Sequence, residues 1–288
     1  MLKKELLHKR PAMEHAESYW DTFDGTPLFL QTWSATGACR AVIHVIHSWG
    51  EHSTRYTAWA KQLAEKGFTV RSYDMRSHGC SGGKQGRCTQ YTKLLRDMDL
   101  YIGHGREEFP DVPHFIYGQG FGGNLVLNYA IEEHRNVAGI IVSSPWLEPV
   151  KNRPRYLVLL GYLLSIIYPG YRVKSNIKAE DLSRDLRVVY NYRSDSAVFN
   201  TMSLRLALDT LEAGRKTSIS IYKINVPLLV MQGTADRIAS CKASEKFVRN
   251  AGRYTTYLEW DGGFHELHND LDRDQVFHSV VDWIEQHI

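Results

Sequence analysis

The chain has 288 residues, of which 43% are hydrophobic and 23% are charged. This composition is typical of a soluble globular protein, and the length is sufficient to bury a full core without disulfides or metals. The formal net charge is +3, and the Lys and Arg residues are scattered along the chain, which argues against nucleic acid as a partner.

Two features predict a cytoplasmic location. Residues 1–15 carry several charges but no apolar segment of the kind found in signal peptides. The most apolar segment, 156–168, is too short to span a bilayer. The cysteines lack metal-ligand spacing and are expected to be reduced structural thiols, so no metal site is predicted. No other cofactor is predicted either. These cysteines are Cys39, Cys80, Cys88 and Cys241.

Short apolar segments alternate with amphipathic ones along most of the chain. The predicted strands, several of them apolar on both faces, are 27–33, 41–47, 68–74, 114–118, 138–144, 226–233 and 254–260. Helical patterns occupy 56–67, 91–109, 122–134 and 274–288. This alternation predicts an α/β fold with a mostly parallel central sheet and helices on both faces.

The alternation is interrupted once, between about Leu147 and Thr217. Helical and loop patterns fill this interval, and no strand is predicted in it. We therefore expect a core formed by 1–146 and 218–288, with 147–217 as a small helical insertion above the sheet. The insertion contains 156–168, which is apolar all round as a helix, and such a helix is either buried or in contact with lipid.

The segment IYGQGFGGNL, residues 116–125, admits two interpretations. Its glycines match the dinucleotide-binding pattern G-x-G-x-x-G, but that pattern belongs to the first strand–helix unit and needs an acidic residue after the next strand. Here two strand–helix units precede the segment, and the next strand ends in Ser143 and Ser144. A nucleotide-binding oxidoreductase is therefore disfavoured.

The second interpretation is a nucleophile elbow, G-x-S-x-G, with Gly120 at the serine position. An elbow lies at a strand-to-helix turn and is followed, after later strands, by an acid and then a histidine. Asp236 and His265 occupy such positions, each just beyond a predicted strand. This order favours the elbow.

Five segments in order resemble the monoacylglycerol lipases and lysophospholipases of the α/β-hydrolase family. HSWGEHSTRY resembles the oxyanion loop H-G-x-G-E-H-S-x-R-Y, and DMRSHGCSGG resembles D-x-R-G-H-G-x-S-x-G. YGQGFGGNL lies at the elbow, and GTADRI and GGFHEL match the acid and histidine segments. The resemblance covers nearly the whole chain and implies an α/β-hydrolase fold.

The same resemblance implies a role for each site residue. His265 is the general base, Asp236 orients it, and the backbone N–H groups of Trp49 and Phe121 form the oxyanion hole. The substrate is a single-chain lipid ester, and 147–217 forms a cap over the acyl chain that also offers peripheral contact with a membrane. No oligomeric state is implied.

This chain departs from the family pattern at four positions. Gly120 replaces the nucleophilic serine, so the chain is expected to be inactive or very weakly active. The other departures, at Ser48, Ser77 and Gln119, are expected to alter only loop geometry or polarity. Gly118 and Gly122 predict room for a side chain at position 120.

Two origins of Gly120 and two functions remain open. Glycine at this position is either an engineered knock-out or a natural loss, and the retained acid and histidine favour an engineered or recent change. The alternative function is that of a binding protein, which holds a lipid or small ester without turnover. Other polar residues are expected to be structural. Glu51, His52, Arg55 and His78 brace the loops, His44 is a core histidine with satisfied hydrogen bonds, and Ser143 and Ser144 cap a helix or turn.

Overall fold

The structure is a computed structural model that describes residues 14–132, 137–150, 154–175 and 177–288. Most of the N-terminal segment interpreted above lies outside the described residues. So do the last two residues of the predicted helix 122–134, and residues 151–153 and 176 of the predicted insertion.

The described strands are, in chain order, β1 (His15–Asp21), β2 (Pro27–Trp33), β3 (Ala41–Ile46), β4 (Phe68–Tyr73), β5 (His114–Gln119), β6 (Gly139–Ser143), β7 (Arg172–Lys174), β8 (Thr201–Ser203), β9 (Leu228–Gly233) and β10 (Thr255–Trp260). All except β7 and β8 join one sheet in the order β1-β2-β4-β3-β5-β6-β9-β10. β1 and β2 pair antiparallel, as do β2 and β4, and every other pairing in the sheet is parallel. The predicted mostly parallel sheet is confirmed.

The described helices are α1 (Thr57–Glu65), α2 (Tyr91–Glu108), α3 (Phe121–Glu132), α4 (Arg155–Ile167), α5 (Leu186–Ser194), α6 (Leu204–Ser220), α7 (Cys241–Arg249) and α8 (Arg273–Glu285). One group of buried apolar side chains includes residues of α2, α3 and α6, and a second includes residues of α1 and α8. Because β3, β5, β6 and β9 are buried along their whole length, both groups pack on a sheet that is apolar on its two faces. The predicted α/β architecture is confirmed.

Two expectations about strands are corrected by the structure. The sequence pattern does not predict β1, because this strand is exposed along nearly its whole length and lacks an apolar alternation. Its antiparallel backbone pairing with β2 keeps it in the sheet. The interval 147–217 is not free of strands, because β7 and β8 pair antiparallel within it. Each has three residues, which is too short for a periodicity to be detected.

The apolar segment 156–168 forms the helix α4, as predicted. Several of its large apolar side chains are more than half exposed, among them Leu163 and Ile166, so an ordinary buried helix is ruled out. Its inner side packs on α6, where Leu204 and Leu208 lie opposite Gly161. Within the described ranges no helix combines the length and hydropathy needed to cross a membrane.

Candidate active site

Four loops at the carboxyl ends of parallel strands carry the predicted site residues. Trp49 follows β3, Gly120 follows β5 directly, Asp236 follows β9 and His265 follows β10. Since neighbouring parallel strands end at the same edge of a sheet, these loops converge there, which is where ligands bind in open α/β sheets. The structure therefore brings together residues that are far apart in the sequence.

Gly120 occupies a tight turn between β5 and α3. Its φ angle is +54°, in the left-handed region that favours glycine. Its N–H donates to the Ser143 carbonyl at 2.9 Å, and its carbonyl accepts from the N–H of Asn124 and of Trp146. Gly122 lets this turn approach β3, because a Cβ there would lie 2.2 Å from the Ile46 carbonyl oxygen. This geometry is that of a nucleophile elbow.

His265 and Asp236 form a buried pair. The Nδ1–H of His265 donates to Asp236 Oδ2 at 2.8 Å. The other carboxylate oxygen accepts from the backbone N–H groups of Ile238 and Ala239 at 2.7 and 3.0 Å. Gln232 Nε2 also donates to Oδ2, at 3.0 Å. Because its acceptors are satisfied in this way, Asp236 is fixed, and it holds the imidazole so that Nε2 meets no hydrogen-bond partner among the described residues.

The pKa of His265 reflects both burial and the carboxylate. Burial is the largest single effect and lowers the pKa, but the charge and hydrogen bond of Asp236, together with the charges of Glu266 and Glu51, outweigh it, so the net shift is upward from the ordinary 6.5. The imidazolium that forms when His265 takes a proton is therefore stabilised. A histidine of this kind can serve as a general base above its raised pKa.

The free nitrogen of His265 faces position 120. A Cβ built on Gly120 would lie 2.9 Å from His265 Nε2 and 2.6 Å from Ser48 Oγ. The expectation that Ser48 alters only loop geometry or polarity is therefore wrong, because its side chain enters the space where a residue at position 120 would project. The expected room for a side chain at position 120 is likewise reduced by Ser48.

Trp49 and Phe121, the predicted oxyanion donors, lie side by side. Their rings make an edge contact with centroids 5.3 Å apart. The Phe121 N–H already donates to Ser48 Oγ at 3.1 Å, whereas no acceptor within the described ranges meets the Trp49 N–H. One of the two predicted donors is thus occupied by a hydroxyl of the protein.

Gln119, which stands where the family has a histidine, contacts the site directly. Its Nε2 donates to the backbone carbonyl of His265 at 3.2 Å, so it ties the elbow to the histidine loop. Neither this role nor that of Ser48 could be inferred from the sequence, because each depends on which loops meet. The departures from the family motif were the signal that marked both residues.

Arg55 braces the oxyanion and histidine loops together. Its guanidinium donates to both carboxylate oxygens of Glu266 at 2.6 and 2.7 Å, and it also pairs with Glu51. Burial would raise the pKa of Glu266, but the Arg55 charge and its hydrogen bonds lower it to about 2. The predicted bracing role of Arg55 and Glu51 is confirmed.

Replacing Arg55 by Met should lower the free energy of unfolding by about 3–5 kcal/mol, because two buried carboxylates would lose their partner. Urea unfolding followed by circular dichroism measures this effect. Arg205→Met is the matched control, since Arg205 is 45% exposed and pairs with Asp209 within one helix; such pairs are worth about 0–1 kcal/mol. Equal effects of the two changes would contradict the bracing role.

Residues 177–201 lie against the site. The carbonyl of Gly50 accepts from the Phe199 N–H at 2.9 Å, and the Trp49 indole N–H donates to the Thr201 carbonyl at 3.0 Å. The space next to His265 is enclosed by Ile177, Leu182 and Tyr192 and measures about 10 Å³. This volume admits about one water molecule, so an ester could enter only if these residues moved.

A larger depression of about 630 Å³ lies elsewhere on the surface. It is lined by Ile131, Glu132, Lys216, Tyr222, Lys223 and Asn225, and no predicted site residue contributes to it. This depression is an open surface groove beside α3 and α6, whereas the small space is lined by His265, which pairs with the buried Asp236. We therefore place the candidate active site at His265.

The fold and the arrangement at the sheet edge define an α/β hydrolase. The chain belongs to the family described as serine aminopeptidase S33, which matches residues 37–272. It is similar to the human monoglyceride lipase, with 28% identity over 91% of this chain and 88% of that protein. The resemblance to monoacylglycerol lipases inferred from the motifs is confirmed.

Another relative and two solved structures are similar to this chain over nearly its whole length. An uncharacterized abhydrolase domain-containing protein of Dictyostelium discoideum is 32% identical over 93% of this chain, which spans only 28% of that protein. The solved structure of a Paleococcus ferrophilus monoacylglycerol lipase has a TM-score of 0.79 at 25% identity, covering 96% of this chain and 100% of that one. A soluble variant of the Saccharomyces cerevisiae monoglyceride lipase reaches 0.86 at 22% identity, with 99% of both chains covered.

Proposed function

We propose that this chain hydrolyses single-chain lipid esters, weakly, at a site formed by His265 and Asp236, with Gly120 at the nucleophile position. The observation that carries the proposal is the buried His265–Asp236 pair, whose free Nε2 faces position 120. Proteins similar to this chain are named monoglyceride lipases, which supports an ester of a single acyl chain as the substrate class.

In the proposed reaction the ester carbonyl lies between Gly120 and the N–H groups of Trp49 and Phe121. His265 accepts a proton from the attacking group and later donates it to the leaving alcohol, while Asp236 stabilises the imidazolium. Such positioned groups accelerate ester cleavage even without the family serine: serine proteases that lack a triad member retain about 10³–10⁴-fold acceleration over water. This is why we expect weak hydrolysis.

We further propose that 147–217 acts as a cap over the acyl chain and that the protein is cytoplasmic. The contacts of Ile177, Leu182 and Tyr192 beside His265 support the cap, because they enclose the site with apolar side chains. The core then consists of 1–146 and 218–288. No cofactor takes part in the proposed reaction.

The exposed face of α4 is proposed to contact the membrane from which the lipid ester is drawn. Leu163 and Ile166 are 56% and 75% exposed, and the basic side chains of Arg155, Arg172 and Lys174 are exposed nearby in the sequence. An apolar face flanked by basic residues is typical of helices that lie in a lipid interface.

Replacing Leu163 or Ile166 by Glu should weaken binding to anionic phospholipid vesicles by about tenfold or more, since burying such a side chain is worth about 1.5–3 kcal/mol. Co-sedimentation with vesicles measures the binding. Leu186→Glu on α5 is the control, because Leu186 is 80% exposed but lies outside this face. Equal binding of all variants would show that α4 does not contact lipid.

A second candidate function is binding of a lipid ester without turnover. One observation favours it: Ser48 Oγ already accepts from Phe121, so a predicted oxyanion donor is occupied. A binding protein would retain ester affinity in equilibrium measurements while releasing no fatty acid.

Release of fatty acid from a panel of monoacylglycerols and lysophospholipids tests the proposed function. The unaltered chain should show slow turnover that His265→Ala abolishes and that His278→Ala, an exposed histidine of α8, leaves unchanged. Turnover that survives His265→Ala, or ester binding with no turnover, would reject hydrolysis at this site.

A further inference from the structure

We propose that Ser48 is the nucleophile of this site, attacking the ester carbonyl in place of the serine that position 120 lacks. This inference rests on the proposed function and assigns its attacking atom. Compared with the family motifs, glycine and serine have changed places: position 48 carries serine where the family has glycine, and position 120 carries glycine where it has serine.

The location of the Ser48 hydroxyl supports this role. Ser48 Oγ lies 2.6 Å from the point where a Cβ on Gly120 would stand, and His265 Nε2 lies 2.9 Å from the same point. The hydroxyl thus occupies the volume that a side chain at position 120 would fill. Ser48 is partly exposed and lines the small cavity beside His265.

The backbone of Ser48 is held by two hydrogen bonds, whereas its hydroxyl accepts a single one, from the Phe121 N–H. Its N–H donates to Glu51 Oε1 at 2.6 Å, and its carbonyl accepts from His47 Nδ1 at 2.7 Å. The hydroxyl has the Phe121 N–H as its donor, so its own proton is available. Since a serine side chain moves between staggered χ1 positions about a fixed Cα, the Oγ can turn toward His265 Nε2.

The proposed step balances without any further reactant than ester and water. Ser48 Oγ bonds to the carbonyl carbon, its proton passes to His265 Nε2, and the carbonyl π electrons move to oxygen. The oxyanion accepts from the N–H groups of Trp49 and Phe121, the latter released from Ser48. The alcohol leaves with the proton from His265, and water then repeats the sequence to release the fatty acid and restore Ser48.

Two other serines near the elbow lack this access. Ser143 and Ser144 follow one another at the end of β6, and both are fully buried. Their hydroxyls therefore cannot reach an ester that enters beside His265. Ser144 makes a good control residue because it follows Ser143, whose carbonyl accepts from the Gly120 N–H, while its own hydroxyl is buried.

Labelling with a fluorophosphonate probe, followed by peptide mass spectrometry, tests the proposal. The probe should modify the unaltered chain at Ser48, and labelling should disappear in Ser48→Ala, in Ser48→Gly and in His265→Ala but persist in Ser144→Ala. Fatty-acid release should fall on the order of 10²-fold or more in both Ser48 variants. Ser48→Gly restores the glycine that the family has at position 48. Thermal melting of each variant verifies that it is folded.

Three results would overturn the assignment. Turnover that depends on His265 but survives both Ser48 changes would mean that water attacks directly, and the proposed function would stand without Ser48. Labelling at another serine would assign the nucleophile elsewhere. The absence of both turnover and labelling would reject the proposed function together with this inference.

Discussion

A protein that carries Ser48→Gly and Gly120→Ser together should hydrolyse a monoacylglycerol on the order of 10³-fold faster than the unaltered chain. Removing the serine of an intact triad costs about 10⁶-fold in a well-studied protease. The exchange should recover part of this factor, because it puts the hydroxyl on the elbow that already faces His265 Nε2. Steady-state release of fatty acid measures the gain.

The single change Gly120→Ser should give a smaller gain than the exchange. Its Cβ would lie 2.6 Å from Ser48 Oγ, so the two side chains compete for one volume until Ser48 is shortened. Serine at a φ of +54° costs about 1–2 kcal/mol, which is small against a typical stability of about 5–15 kcal/mol. A folded exchange protein that is no faster than the unaltered chain would favour lipid binding without turnover.

In the exchange protein, Asp236→Asn should remove most of the recovered activity. The equivalent change in a serine protease lowers kcat by about 10⁴-fold, because the imidazole loses the partner that fixes its tautomer. Here the loss should cancel the gain from the exchange, since Asp236 Oδ2 accepts the His265 Nδ1–H directly at 2.8 Å. His265→Ala should be at least as damaging.

The control for this pair is His278→Ala, which removes an exposed histidine of α8 without touching the sheet edge. Its kinetics should match those of the exchange protein. If Asp236→Asn left the exchange protein fully active, then the new hydroxyl would not use His265 as its base, and the account of this pair would be incorrect.

The parallel sheet and the order of the site loops could be predicted from the sequence. Buried parallel strands such as β3 and β9 are apolar throughout, so their segments stand out, and the segments that follow them carry recognisable motifs. β1 could not be predicted, because a polar edge strand is specified by its partner and not by its own pattern.

The position of the Ser48 side chain lay beyond the sequence for a different reason. A motif shows that a glycine has become serine, but only the packing of β3 against β5 shows where the hydroxyl points. The same holds for Gln119, whose bond to the His265 carbonyl joins two segments 146 residues apart. Contacts between loops depend on the assembled sheet, and local patterns do not encode them.

The pH dependence of kcat/KM for ester hydrolysis by the unaltered chain tests the central claim most directly. His265 acts as a base only when neutral, and although its burial lowers the pKa, the negative charges of Asp236, Glu266 and Glu51 hold it above the ordinary 6.5. We therefore expect kcat/KM to rise with pH through one transition centred above pH 6.5. We expect this transition to be absent in His265→Ala. A kcat/KM that did not change as the pH was raised through and above 6.5 would contradict hydrolysis by the His265–Asp236 pair. So would a transition that persisted in His265→Ala.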